Sequence, residues 1–206
     1  CALPSEKELY DAAKKFTSGY FSLFDNGTEN EVKIFDHIIW PGQIDDFQKC
    51  FENNFKMILV DRDPRDLYIL DQHIWSNNAF RKSNVHFPTD TVAFSEEWKN
   101  TLVEEFKNPN AMRVHFEDLI YDYENTVNSI ETFLGLKKEQ HIHKKEHFNP
   151  KDSIENTQVF RVHEEWEKEV ETIANLVPDL LYKFPYDRKP ERKKMFADDS
   201  MGKVKI

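Results

Sequence analysis

Apolar positions recur along this chain with two different periods, and the changes of period mark its elements. Leu9, Ala12, Ala13, Phe16, Tyr20 and Leu23 fall at helical spacing behind Ser5 and Glu8, which together form a capping box, so the pattern predicts a first helix that ends at Asn26-Gly27. Residues 32–35 read as a short strand running into Asp36-His37. After Pro41-Gly42, Ile44, Phe47 and Phe51 share one side of a helix over 43–54. Residues 55–60 then form an apolar run broken only by Lys56, the pattern of a strand buried on both faces of a parallel sheet. The run stops at Asp61-Arg62-Asp63-Pro64-Arg65-Asp66, where Pro64 is placed to open a helix carrying Leu67, Leu70, Ile74 and Trp75. Farther along, a helix opens at Phe94 and continues to Phe106, residues 112–116 form another strand, and residues 124–134 form a helix closed by Gly135. Trp166, Val170, Ile173, Leu176, Leu180 and Phe184 mark a long last helix over 162–184, kinked or divided by Pro178. This alternation predicts one α/β domain over residues 1–186 with a mostly parallel central sheet, followed by a basic polar tail at 187–206.

Composition narrows the function classes. The 206 residues carry 38 acidic and 28 basic side chains, a formal charge of −10, which disfavours a nonspecific grip on nucleic acid. Apolar runs are far shorter than the roughly 20 residues that cross a bilayer, so no membrane insertion is expected, and no secretory leader is read. Cys1 and Cys50 lack metal-ligand or redox spacing, which fits a reducing, cytoplasmic setting. Asn26-Gly27-Thr28 matches a glycosylation triplet, but Asn-Gly is more simply a turn. With only 5 glycines, no Gly-rich phosphate loop of either common spacing is present. His141, His143 and His147, with Glu146, have spacing that invites a metal. Lys137, Lys138, Lys144 and Lys145 crowd the same stretch and oppose a cation, so a solvated surface helix is expected there and no metal is called for. His73, His86, His115 and His163 show no evident partners, and Trp75, Trp98 and Trp166 sit on apolar stripes as core residues.

In open α/β sheets ligands collect beyond the carboxyl ends of the strands, which directs attention to Asp36-His37 and to residues 61–66. A guanidinium at Arg62 offers a planar, permanently charged fork to a phosphate, with Asp66 orienting it or capping the helix. The same residues also read as a solvated charge network around a helix start.

Residues 60–66 resemble the strand-end signature of sulfotransferases that use 3′-phosphoadenosine 5′-phosphosulfate: Arg, then Asn or Asp, Pro, any residue and Asp. Residues 94–98 leading to Met112-Arg113-Val114-His115-Phe116-Glu117-Asp118-Leu119, then Phe133-Leu134-Gly135, resemble that family's second strand end and following helix. Ser153, Asn156 and Arg161, ahead of Phe184-Pro185-Tyr186, are similar to its loop for the donor's 3′-phosphate. The resemblance implies a three-layer fold related to the P-loop nucleotide kinases. It also implies sulfuryl transfer to a hydroxyl or amine without a metal. Arg62 would bind the 3′-phosphate, Phe116 would lie beside adenine, and Ser153, Asn156 and Arg161 would complete the donor site. His37 would take the place of the proton-accepting base, with Asp36 as its competitor, and His37 also reads as a histidine packed beside Trp40.

Three departures accompany the resemblance. The family's first strand and its phosphosulfate loop have no counterpart, and because the chain opens at Cys1 both are expected upstream. Leu70, beside Asp71, stands where a serine usually meets the 3′-phosphate, and Phe116 replaces a tyrosine. A nucleotide or metabolite kinase and a noncatalytic binding domain retaining the fold are the alternatives. The acceptor, a small molecule or a carbohydrate, and the oligomeric state are left open.

Overall fold

Local chemistry accounts for the ends of most elements in the computed structural model, which describes residues 3–25, 32–35, 43–51, 55–74, 88, 90–101 and 108–191. Contacts gather into two compact units, Cys1–Leu59 with Thr101–Met112, and Val60–Asn100 with Arg113–Ile206.

In the first unit, helix α1 spans Glu6–Ser22 behind the expected capping box: Ser5 Oγ accepts from Glu8 N–H, and the Glu8 carboxylate accepts from Ser5 N–H at 2.8 Å. The helix buries none of its residues completely. It is tied down by Thr17, whose hydroxyl donates to the Cys50 carbonyl at 2.6 Å, and by Phe21, stacked 5.9 Å from Phe51. Phe51 also stacks 4.8 Å from Phe55, so aromatic rings supply much of this unit's packing. Helix α2 covers Ile44–Gln48, shorter than its apolar stripe predicts. Residues 32–35 form no strand: Val32 and Ile34 are 74% and 88% exposed. An extended segment is a strand only when a neighbour accepts its backbone bonds, and the composition of four residues cannot say whether one does.

Strands β1, Met57–Asp61, and β2, Ala111–His115, pair in a sheet that has these two strands among the described residues. Met57 N–H donates to Asn110 O at 2.7 Å and Phe116 N–H to Asp61 O at 2.8 Å, so the strands run parallel. β1 is not the doubly buried strand its apolar run predicts, since Val60 is 55% exposed and only Asp61 is fully buried.

In the second unit, helix α3 spans Pro64–Ile69, with Asp63 as its N-cap and Pro64 at its first position, and continues as a π-helical turn over Leu70–Ile74. Helix α4, Thr91–Thr101, begins ahead of Phe94 because the Asp90 carboxylate accepts from Val92 and Ala93 N–H at 3.0 and 2.9 Å. Helices α5, Asp118–Tyr121, and α6, Tyr123–Leu134, follow β2, and Gly135 closes α6 at φ 72°. The predicted surface helix around His143 and His147 is instead a turn in which Lys145 takes φ 62° and His143 pairs with Glu146 at 2.5 Å. A short helix α7, Pro150–Ser153, leads into two 3₁₀ turns, Ile154–Asn156 and Val159–Arg161. The long last helix is divided into a 3₁₀ turn at Glu164–Trp166, helix α8 at Glu167–Leu176, and a 3₁₀ turn opened by Pro178. Tyr68, Ile69, Leu70, Phe94, Val159, Trp166, Ile173 and Val177 form the core of this unit. Residues 187–191, the start of the expected tail, pack back on residues 154–161 through Arg188, which donates to Ile154 O at 2.7 Å and Glu155 Oε1 at 2.8 Å.

Candidate functional site

The exit of β1 carries four charged side chains, and each is held differently. Asp61 is buried and receives Arg113 Nε at 2.5 Å, with His115 Nδ1 2.7 Å away, so both partners come from β2. The bond to Asp61 lifts His115 above the ordinary imidazole range. Asp63 caps α3 through Arg65 N–H at 2.9 Å, receives the Arg65 guanidinium at 2.9 and 2.6 Å, and accepts from Tyr182 N–H at 3.0 Å. Arg65 also lies 4.3 Å from the centroid of Phe160, so its charge is spent on structure. Asp66 is wholly buried, and its two oxygens accept from Gln158 N–H at 2.7 Å and Phe160 N–H at 3.1 Å. That carboxylate therefore clamps residues 158–160 onto the start of α3. Burial raises its pKa against the opposing pull of Arg62.

Arg62 is the remaining member. Its guanidinium lies 4.8 Å from the Phe116 ring centroid, donates through Nη2 to the Asn156 carbonyl, and stands 3.7 Å from Asp66 Oδ2. That last separation exceeds a hydrogen bond. Its Nε is buried and has no hydrogen-bond partner among the described residues. At the exit of β2, Glu117 is also fully buried, accepts from Asp63 N–H at 2.9 Å through Oε1, and leaves Oε2 without a partner among the described residues. Burial drives its pKa up to about 7, with the Asp63 bond and Arg62 working in the other direction and Asp66 adding to the rise.

The loop over 153–161 closes the site. Gln158, at φ 56°, is buried; its Nε2 donates to Tyr186 O at 2.9 Å and its Oε1 accepts from Arg188 N–H at 3.0 Å. Such a conformation costs a non-glycine residue on the order of 1 kcal/mol and is sustained here by bonds at both ends of the amide.

Of the candidate donor residues, the structure brings Arg62, Phe116 and Asn156 together, Asn156 through its carbonyl. Ser153 sits half-buried where α7 passes into the next turn. Arg161 pairs with Asp187 at 2.6 Å. His37 and Asp36 lie outside the described residues. The histidines without evident partners in sequence acquire them: His73 meets Glu169 at 2.6 Å and stacks on Trp166, which His163 also flanks, while His115 joins Asp61. His86 lies outside the described residues. Sequence reasoning missed Glu117 and Gln158. The signal for Glu117 was its place at a strand exit, two residues past the end of β2, as Arg62 is one residue past the end of β1.

A family model described as the sulfotransferase domain matches residues 43–173, well over half of the chain. The chain belongs to the sulfotransferase domain family. In this sulfotransferase domain the matched span takes in both strands, Arg62 to Asp66, Phe116, Glu117 and the loop to Arg161. Curated proteins and solved structures yield no match. Among the described residues of the sulfotransferase chain, no helix is long and apolar enough to cross a membrane, and no group of three or more His, Cys, Asp or Glu is placed to hold a metal.

Proposed function

We propose that this sulfotransferase-family chain moves a sulfuryl group from 3′-phosphoadenosine 5′-phosphosulfate to a hydroxyl or amine of a small molecule or carbohydrate, in the cytoplasm and without a metal. In this reading residues 1–186 form a three-layer domain of the P-loop nucleotide-kinase type, and its substrates do not include nucleic acid. The observation that carries the reading is Arg62: a guanidinium at the end of a parallel strand, braced on an aromatic ring, with a buried Nε that no described group satisfies. An unpaired buried donor of this kind favours an anion, and a 3′-phosphate answers both its charge and its planar fork.

The donor supplies an already electrophilic sulfuryl group, and the residues of this chain align it. Arg62 receives the 3′-phosphate, Phe116 flanks the adenine, and Ser153, Asn156 and Arg161 line the loop beside it. His37, or Asp36 in its place, takes the acceptor's proton. Leu70 is fully buried in the core, so the hydroxyl contact usual at that position is lost and Arg62 carries more of the recognition. That burial, with the Arg161–Asp187 pair, favours as a second reading a noncatalytic domain that retains the fold.

Calorimetric titration of the full-length protein with 3′,5′-adenosine bisphosphate tests the donor site. Binding is expected, weakened about 10- to 100-fold in Arg62→Ala, the loss of charge-assisted hydrogen bonds of roughly 1.5–3 kcal/mol. Equal affinity in the two proteins, or no binding by either, overturns the reading. Transfer of labelled sulfate to phenol, amine and carbohydrate acceptors separates the enzyme from the noncatalytic domain.

A further inference from the structure

Three fully buried carboxylates, Asp63, Asp66 and Glu117, crowd the two guanidiniums of Arg62 and Arg65. The cluster is therefore already one negative charge in excess when all three are ionised. Other groups face it as well. Tyr182 donates its backbone N–H to Asp63 and its hydroxyl to Asp118 at 2.8 Å, while Asp61 is occupied by Arg113 and His115. No further cation among these is open to a second anion. A phosphate dianion arriving at Arg62 raises the excess to three in a site of low dielectric, where like charges repel strongly.

We propose that Glu117 is a positioning and charge-compensating residue of the donor site, taking one proton from solvent onto Oε2 as the donor's phosphate settles on Arg62. The inference rests on the donor reading above. Geometry singles out this carboxylate. Both oxygens of Asp66 accept backbone N–H groups, and both oxygens of Asp63 accept from Arg65 or Tyr182, so protonating either breaks bonds that hold the loop or the helix start. Glu117 uses Oε1 for Asp63 N–H, while Oε2 has no partner among the described residues and gains a proton without losing a bond. Its neutral form keeps the acceptor that fixes the turn carrying Arg62, so the arginine stays in place while the repulsion is relieved. The raised pKa of Glu117 agrees with a group already poised between its two forms near neutrality.

The experiment is calorimetric binding of 3′,5′-adenosine bisphosphate to the full-length protein, run at each pH in buffers of different ionisation enthalpy so that the heat counts protons. The wild type is expected to take up about half a proton per ligand near pH 7, with affinity falling by up to tenfold per unit as the pH rises from 7 to 8.5. Glu117→Gln keeps the Oε1 acceptor and is expected to show neither the uptake nor that fall. Phosphate groups titrate near pH 6 and release protons on binding a cation, the opposite sign, and the comparison with Glu117→Gln cancels their share. Equal proton counts in the two proteins overturn the assignment and leave the donor site standing. No binding by the wild type at any pH removes the donor site and the assignment together. If Glu117→Gln does not fold, the wild type's proton count at about pH 8 still decides, because the ligand's phosphates are already ionised there and zero uptake is incompatible with the proposal.

Discussion

Asp66→Ala probes the clamp between the exit of β1 and the loop over 153–161. The substitution deletes two charge-assisted hydrogen bonds, of 2.7 and 3.1 Å, and leaves the N–H groups of Gln158 and Phe160 without their acceptor at buried positions. Each such bond contributes roughly 1.5–3 kcal/mol, and Arg62 loses its nearby carboxylate as well. Relief of the burial penalty that raises the Asp66 pKa offsets part of this, so the net loss is expected at about 3–5 kcal/mol. Asp66→Asn keeps one oxygen, but its amide meets the second N–H donor to donor, and about half of the loss is expected. Urea unfolding of the full-length protein, followed by the fluorescence of Trp98 and Trp166 beside the core, measures both. A loss below about 1 kcal/mol in Asp66→Ala, or an Asn variant as damaged as the Ala variant, would refute the clamp.

Two further outcomes follow from the same structure. The folded state favours neutral Glu117, whose pKa rises from 4.5 to about 7, so its contribution to stability is complete below about pH 4.5 and lost as the pH climbs through 7. The difference amounts to roughly 3 kcal/mol at most, so denaturation at pH 5 and pH 8 should show Glu117→Gln gaining on the wild type by up to that amount. Identical pH slopes in the two proteins would count against a buried acid there. At Gly135, φ is 72° and a methyl group meets nothing within 4 Å, so Gly135→Ala should cost only the backbone term, about 1–2 kcal/mol in thermal or urea unfolding. A neutral substitution would contradict the left-handed cap.

Element ends written in local chemistry were legible in the sequence, because each is decided within a few residues. Ser5 with Glu8, Pro64 behind Asp63, and Gly135 all stand where their residue types place them. That Arg62 and Phe116 meet was legible for another reason, since two parallel strands bring their carboxyl ends to the same edge, while Asn156 entered only through the family resemblance. What stayed hidden depends on partners distant in sequence. An apolar run at 57–60 does not reveal how many neighbours a strand has, and the exposure of Val60 was unforeseen. No periodicity announces that Asp187 pairs with Arg161, or that Asp66 reaches past 90 positions to two amides. The turn at 143–147 fails the helix reading because Lys145 adopts a left-handed conformation that its residue type does not advertise.

The strap formed by residues 186–191 bears on the order in which the chain matures. Gln158 donates its amide N–H to Tyr186 O and accepts from Arg188 N–H, and Glu155 accepts from Arg188 and from Glu191 N–H at 2.7 Å. A polypeptide emerging from the ribosome presents its amino-terminal parts first, so this set of bonds is complete only once Glu191 has been delivered. The arginine at the sheet's edge is thus translated well before the segment that secures the loop facing it. Nascent chains halted before that point would carry the cation without its finished surroundings.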